Sequence, residues 1–504
     1  MQVVLFLVTV ATVVATFADR ISVPAPSLLV VAGILVGLLP LSEQIHVTPE
    51  IVSLVVLPPL LYAAGEELSW RELKLLWRPV SLLAVGLVLV SAAAVGFVTT
   101  LLTPVPLAMG FMLGAVLAST DPVAVTALGR RLALPPRLQT LVQAESLFND
   151  ATSLILFKVA LGAALAGGVA SWSGVTVGFV TLAGGGALVG AVVAVGVSFI
   201  RKRTEDPVLE SVIALVTPYV AFVLAESLHG SGVTSVVVVA VVQGVKAHQL
   251  TDSRIRLQLT AVYGTVIFLL ESVVFSLIGL QLPSQIRQLT DGERSWIPAV
   301  FAIALTLVVV RVAWMFPLSA LRNWRDGNRP SWQVPAVITW AGARGVVPLA
   351  AALSIPLAMP HRTLLMVLAT GVIVVSLIVQ GFTLAPLVRL SGLAIAPGDS
   401  QAEYARAKQE LTRRAIDYVE ELGDVEAVSP VVLDHVRRSL NTQMELEQEQ
   451  DDLADSYGQL RRELLAVQGE ELARMQAAGE IGEATRRRLQ RHLDRQDLRF
   501  TDDP

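Results

Sequence analysis

The stretch Gln143–Ala151 (QAESLFNDA) puts Glu145, Ser146, Asn149 and Asp150 inside a segment apolar enough to cross a bilayer. A charged side chain at the centre of a membrane helix costs about 2.5–3.5 kcal/mol on insertion scales, so acids placed there mark an ion or substrate pathway by default. At about 100° per residue, positions four apart share a helix face. Ser146 and Asp150 form one polar stripe, and Glu145 and Asn149 form another, turned roughly 100° from the first. One stripe could face a solvated cavity while the other faces protein. The alternative is a structural network that binds helix to helix.

Two other places interrupt apolar segments with polar or helix-breaking residues. Ser119-Thr120-Asp121-Pro122 lies near the middle of one, and Gly342-Ala343-Arg344-Gly345 followed by Pro348 lies in another. Pro122 has no N–H, and Asp121 is suited to cap a half-helix that starts there. Glycine and proline in the second stretch open the helix and release backbone carbonyls. Non-helical backbone at membrane depth is tolerated only where protein buries it or where it lines a cavity.

These segments belong to a chain of 504 residues that is 54% hydrophobic and 16% charged, with most of the charge in the last quarter. That composition describes a polytopic membrane protein with a soluble tail, and the net charge of −4 mixes two dissimilar parts. The absence of Cys excludes disulfides, thiolate metal sites and cysteine catalysis. The six His show no metal-ligand spacing. Val3–Ala18 lacks a basic flank and a cleavage site, and reads as a retained span.

A span needs about 20 mostly apolar residues, and about thirteen candidates meet that rule. They centre on 1–18, 24–40, 50–64, 79–102, 106–128, 138–161, 174–200, 208–228, 232–247, 258–281, 296–318, 332–358 and 362–390. Glu66–Trp77 after the third is amphipathic and suits the interface. Alternate loops are rich in basic residues, among them Arg71, Lys74 and Arg78, then Arg201, Lys202 and Arg203, then Lys246, Arg254 and Arg256. The intervening loops carry only Arg287, Arg294 and Arg362. The positive-inside rule then puts the N-terminus outside and the tail after Ser391 in the cytoplasm. If spans one to six and eight to thirteen form two repeats, both interruptions fall in the fifth span of their repeat. The repeats begin on opposite sides of the membrane, and paired interruptions of this kind point to a transporter site on inverted repeats. Beyond 391, Glu403–Val419, Pro430–Gln459 and Arg462–Arg495 have helical periodicity with dense mixed charge, a turn at Gly479–Gly482, and no nucleotide or nucleic-acid motif.

The pattern STDPVAV at 119–125 followed by QAESLFNDATSLILF at 143–157 resembles the NhaP-type sodium/proton exchangers of monovalent cation:proton antiporter family one. LPPLLYAAG at 57–65, PYVAFVLAESLHGSGV at 218–233, FLLESVVFSLIGLQL at 268–282 and WAGARGVVPLAAALSIP at 340–356 agree with it. The resemblance covers essentially all of 1–390; the tail resembles that of a bacterial subgroup. It implies an all-α transporter of thirteen spans in two inverted six-helix repeats, with the broken fifth and twelfth spans crossing near the membrane centre. It implies a homodimer. The lack of Cys and the Ala/Val/Gly/Arg-rich usage suggest a bacterium, and with it a plasma (inner) membrane. A core domain (about 79–161 and 296–390) would move against a dimerisation domain (about 1–64 and 174–281) as an elevator, with a cytoplasmic helical tail at 391–504.

By the same resemblance, Asp150 is the cation- and proton-binding carboxylate and Asn149 its partner. Ser146 and Asp121 match further cation-site positions, with Thr120 offering its carbonyl. Glu145 and Arg344 match a buried ion pair. Some relatives have an acid near Ala63, where this chain has none, with Glu66 nearby. The cargo would be Na+, with Li+ and K+ as further candidates, exchanged for H+ without a cofactor.

Hard monovalent cations favour oxygen ligands, which Asp150, Asp121, Ser146 and the Thr120 carbonyl supply. One Asp that holds either a proton or a cation is sufficient for exchange if only its loaded forms reorient. Asn149 cannot titrate, so one-for-one electroneutral exchange is expected. Glu271 with Arg311 is a candidate second buried pair. Lys158 is expected to snorkel, and Glu226 and His229 to lie at an outer interface. The competing readings are a K+/H+ antiporter, an intramembrane aspartyl protease using Asp121 and Asp150, and a transport-inactive sensor.

Overall fold

The computed structural model describes residues 24–38, 52–122, 134–165, 172–204, 206–250, 253–289, 296–325, 332–393, 397–423 and 429–448, with isolated positions elsewhere. The first expected span, the half-helix after Pro122 and the tail beyond 448 lie outside them, isolated positions apart. All secondary structure among the described residues is helical. The chain divides into two compact units, Met1–Ile395 and Ala396–Pro504.

The first unit begins with α1 (Ala25–Gly37), α2 (Leu57–Glu66), α3 (Trp70–Ser81), α4 (Val88–Leu102) and α5 (Leu107–Ala118). It continues through α6 (Pro136–Leu165), α7 (Trp172–Arg201), α8 (Pro207–Ser227), α9 (Gly232–Leu250) and α10 (Ser253–Arg287). It ends with α11 (Trp296–Arg325), α12 (Gln333–Trp340), α13 (Val346–Leu353) and α14 (Arg362–Ser391). Among the described residues, seven helical stretches are long and apolar enough to cross a membrane, and Ala25–Gly37, Leu54–Glu66, Leu107–Ala118 and Gly232–Lys246 are shorter apolar helices. The second unit holds α15 (Pro397–Gly423) and α16 (Pro430–Gln448), which pack on each other, with Arg437 3.9 Å from Glu420.

Local chemistry sets several boundaries. Asp206 precedes Pro207, and its Oδ1 accepts from the N–H groups of Val208 at 2.7 Å and Leu209 at 3.2 Å. These are the donors that the first turn of α8 cannot satisfy internally. Ser69 caps α3 by accepting from Glu72 N–H, while the Glu72 carboxylate accepts from the Thr140 hydroxyl and ties α3 to α6. The sequence predicts an interfacial stretch separate from the span at 79–102; the structure instead runs Trp70–Leu102 as one helical course. Pro79 removes a donor, and the backbone widens into a π turn over Leu82–Leu87 without breaking.

Burial identifies the centre of the unit. In α14, 83% of the most apolar window is buried, against 17% in α7. Helix α14 packs on α1, α5, α10, α11, α12 and α13, whereas α7 turns a broad apolar face outward. Small residues allow the closest crossings, as expected where lipid provides no hydrophobic drive for helix association. At the α1–α10 crossing, a Cβ on Gly33 would fall on the Ser276 carbonyl, and one on Gly279 on the Val30 carbonyl. Gly279→Ala should therefore lower thermal stability in detergent by about 1–3 kcal/mol, the usual cost of overpacking. Gly264→Ala on the same helix, where a Cβ meets nothing within 4 Å, should leave the melting temperature unchanged.

Candidate functional site

Helix α5 stops at Ala118, and Ser119 turns to extended backbone (φ −61°, ψ 141°). Helix α12 stops at Trp340 and α13 resumes at Val346. The two interruptions meet. Asp121 N–H donates to the Ala343 carbonyl at 2.8 Å, and the Asp121 Oδ2 accepts from Val346 N–H at 3.3 Å. Asp121 thus satisfies an orphan donor at the start of α13; the half-helix following Pro122, which the sequence expects it to cap, lies outside the described residues. Gly345 makes the approach possible, since a Cβ there would occupy the position of the Asp121 carboxylate.

Helix α6 runs beside this crossing and fills the remaining vacancies of the α5 break. The Asn149 amide donates to the Ala118 carbonyl at 3.2 Å and to Thr120 Oγ1 at 3.4 Å. The Ser146 hydroxyl donates to the Thr120 carbonyl, and the Ser153 hydroxyl donates to the Ala115 carbonyl at 2.5 Å. The Ser119 hydroxyl donates to Oδ1 of Asp150. Sequence reasoning did not single out Ser119; its adjacency to Thr120 in the break was the available signal.

A cavity of about 830 Å³ reaches this crossing. Thr120, Asp121, Ser146 and Asp150 lie on its wall, as do Glu66 and Glu271 from α2 and α10. Asp150 is 6% exposed and Ser146 1%. Glu145 and Asn149, on the other stripe of α6, are buried away from the cavity. Glu66, at the end of α2, belongs to the cavity wall.

The buried ion pair differs from the expected one. Glu145 pairs with Arg311, Nη1 lying 2.7 Å from Oε1 and Nη2 2.9 Å from Oε2. Arg311 also donates to the Ile338 carbonyl from Nε at 3.2 Å and Nη2 at 3.1 Å, so one guanidinium joins α6, α11 and the end of α12. Arg344 folds back on its own break: Nη1 donates to the Gly342 carbonyl, its backbone N–H donates to Ser376 Oγ at 3.0 Å, and its buried Nε has no partner. Arg311 wins the carboxylate because a Cβ-free Gly342 leaves its guanidinium room to enter. The expected Glu271–Arg311 pair is accordingly absent, and Glu271 faces the cavity. Lys158 does not snorkel; its Nζ holds both carboxylate oxygens of Glu226 on α8, at 2.5 and 2.6 Å, and Glu226 also accepts from Gly232 N–H. His229 takes a left-handed conformation (φ 59°) just past α8.

A family profile described as "Sodium/hydrogen exchanger, transmembrane" matches residues 6–390. The Na(+)/H(+) antiporter ApNhaP of Aphanothece halophytica is 32% identical over 409 residues, 81% of this chain and 76% of that protein. The low-affinity Na(+)/H(+) antiporter NhaS1 of Synechocystis sp. is 32% identical over 445 residues, 87% of this chain and 83% of its own. Among solved structures, the sodium proton antiporter MjNhaP1 of Methanocaldococcus jannaschii superposes with a TM-score of 0.63 at 20% identity, covering 77% of this chain and 97% of its own. That likeness shows a shared helical membrane fold. With these matches over nearly the whole apolar part, the chain belongs to the sodium/hydrogen exchanger family of membrane transporters.

Proposed function

We propose that this protein exchanges Na+, and Li+, for H+ one for one through Asp150, in the plasma membrane of a bacterium. The observation that carries the reading is the convergence of Asp150, Asp121, Ser146 and Thr120 at the crossing of two broken helices, on the wall of one cavity. The group is the cargo's oxygen-ligand set: two carboxylates, a hydroxyl and a threonine that brings both a carbonyl and a hydroxyl. A bare carboxylate is disfavoured by burial, and either a proton or a cation removes that penalty. Both occupy Asp150 in turn, and that competition couples their movements. Asn149 donates hydrogen bonds to the α5 break and has no proton to exchange, which leaves Asp150 as the titrating member of this adjacent pair.

The motion is an elevator, with the proposed core at 79–161 and 296–390 and the proposed scaffold and dimer-forming part at 1–64 and 174–281. In support, the cavity has Asp121, Ser146, Asp150 and Val346 on one wall, and Leu60, Tyr263 and Glu271 on the other. That lining is what a seam between two such sets, in thirteen spans of inverted repeats, would give. The cavity also reaches Arg201 and Arg256, ends that the positive-inside rule assigns to the cytoplasm along with the tail. This conformation is then open inward. Glu145–Arg311 is the structural tie of the core, and Arg344 holds the shape of the α12–α13 break.

In liposomes with a trapped pH dye, Na+ or Li+ should drive proton movement that Asp150→Asn abolishes and a clamped membrane potential leaves unchanged. Absence of any cation response in folded wild type would remove the reading, and faster exchange with K+ would change the cargo. The chain has no native Cys, so Gln143→Cys offers a single label on the cavity wall. A membrane-impermeant maleimide should reach it from the cytoplasmic face and not from the outer face. Arg311→Met strands the Glu145 charge and should cost about 3–5 kcal/mol of stability, with much of it recovered in Glu145→Gln/Arg311→Met. Arg344→Met should show no such coupling to Glu145→Gln in the same thermal assay.

A further inference from the structure

We propose that Glu271 is a further cation-binding residue of the pathway, a carboxylate on the α10 wall that shares an incoming monovalent cation with Asp121 before Asp150 takes it. The inference rests on the exchange reading above and adds a stage to it.

The argument comes from the partners of the acids around the cavity. Glu66 has the Arg201 guanidinium as an electrostatic neighbour, and Arg201 is itself paired with Glu210 at 2.8 Å. Glu67 is exposed. Asp121 holds the first N–H of α13. Glu271 has no hydrogen bond or ion pair among the described residues, although it stands midway along α10, deep in an apolar segment. The basic residue of its own helix on the cavity, Arg256, is 15 positions away. That separation is about 22 Å along a helix. The charged neighbour of Glu271 is Asp121, and the charged neighbour of Asp150 is likewise Asp121. Three carboxylates therefore follow one another along the cavity, Glu271, Asp121 and Asp150. The last of them, Asp150, is 6% exposed, lies on the cavity, and has its Oδ2 without a hydrogen-bond partner among the described residues. A mid-membrane carboxylate lacking a basic partner is costly unless a cation or proton visits it. The oxygen-only surroundings suit a hard monovalent cation. Because Glu271 belongs to the proposed scaffold and Asp121 to the proposed core, the two face each other only while the cavity is open on this side.

The test compares wild type, Glu271→Gln and Glu271→Asp as full chains reconstituted with known orientation, measuring half-saturation by Na+ and maximal rate from each face. Glu271→Gln should raise the half-saturation on the cavity face about tenfold, the factor that about 1.4 kcal/mol of lost cation stabilisation produces. Its maximal rate should stay within twofold of wild type. Glu271→Asp, which keeps the charge on a shorter stem, should fall between the two, and it preserves the test if the Gln variant folds poorly. Unchanged half-saturation in both variants, or a fall in maximal rate alone, would overturn the proposal. Either result beside a wild type that exchanges Na+ for H+ leaves the transport reading standing, whereas a silent wild type defeats that reading first.

Discussion

Backbone that leaves the helical path inside an apolar slab must find its hydrogen bonds elsewhere, and the site depends on how that demand is met. At the α5 break, the carbonyls of Ala118 and Thr120 accept from Asn149 and Ser146 of α6. The α12–α13 break leaves the Ala343 carbonyl and the Val346 N–H, which the Asp121 backbone and side chain serve in turn. Each break is completed by the other or by α6. Unsatisfied groups of this kind cost several kcal/mol in lipid, so the three segments hold together as a unit. The carboxylates are positioned as a by-product of satisfying the backbone.

Charge follows the same economy. Two buried arginines compete for one buried glutamate, and geometry assigns it to Arg311, while Arg344 turns to a carbonyl of its own break. On the cavity side the balance is different: the charged neighbour of both Asp150 and Glu271 is another carboxylate, Asp121. The two sides of α6 thus differ: Glu145 is paired with Arg311, whereas the acid on the cavity side, Asp150, has a carboxylate as its charged neighbour. Helix α6 carries both, Glu145 and Asn149 on one side and Ser146 and Asp150 on the other.

That separation was legible in the sequence, because helical periodicity alone divides the four residues into two stripes. The positions of the breaks were legible too, from Pro122 and from Gly342–Gly345, where no regular membrane helix would be expected. The partner of Glu145 was not. Arg311 lies 166 residues away in the chain, and nothing in local pattern ranks it above Arg344; only the space left by Gly342 decides. The place of Glu66 was equally hidden, since an acid at the end of a span reads the same whether its side chain meets lipid headgroups or a cavity. Lys158 read as an isolated charge because its counterion, Glu226, sits on a helix that the sequence does not place beside α6.

The cavity also reshapes the electric field. Salt water conducts, so a filled cavity of about 830 Å³ carries the potential of one bulk phase down to Asp150. In the proposed inward-open state, the membrane voltage would fall mainly across the protein beyond the cavity. A unit charge crossing that part would work against about 2.3 kcal/mol for every 100 mV. Under the proposed one-for-one exchange, a carboxylate that crosses only when neutralised escapes that force, and the rate of the cycle would follow concentrations rather than voltage.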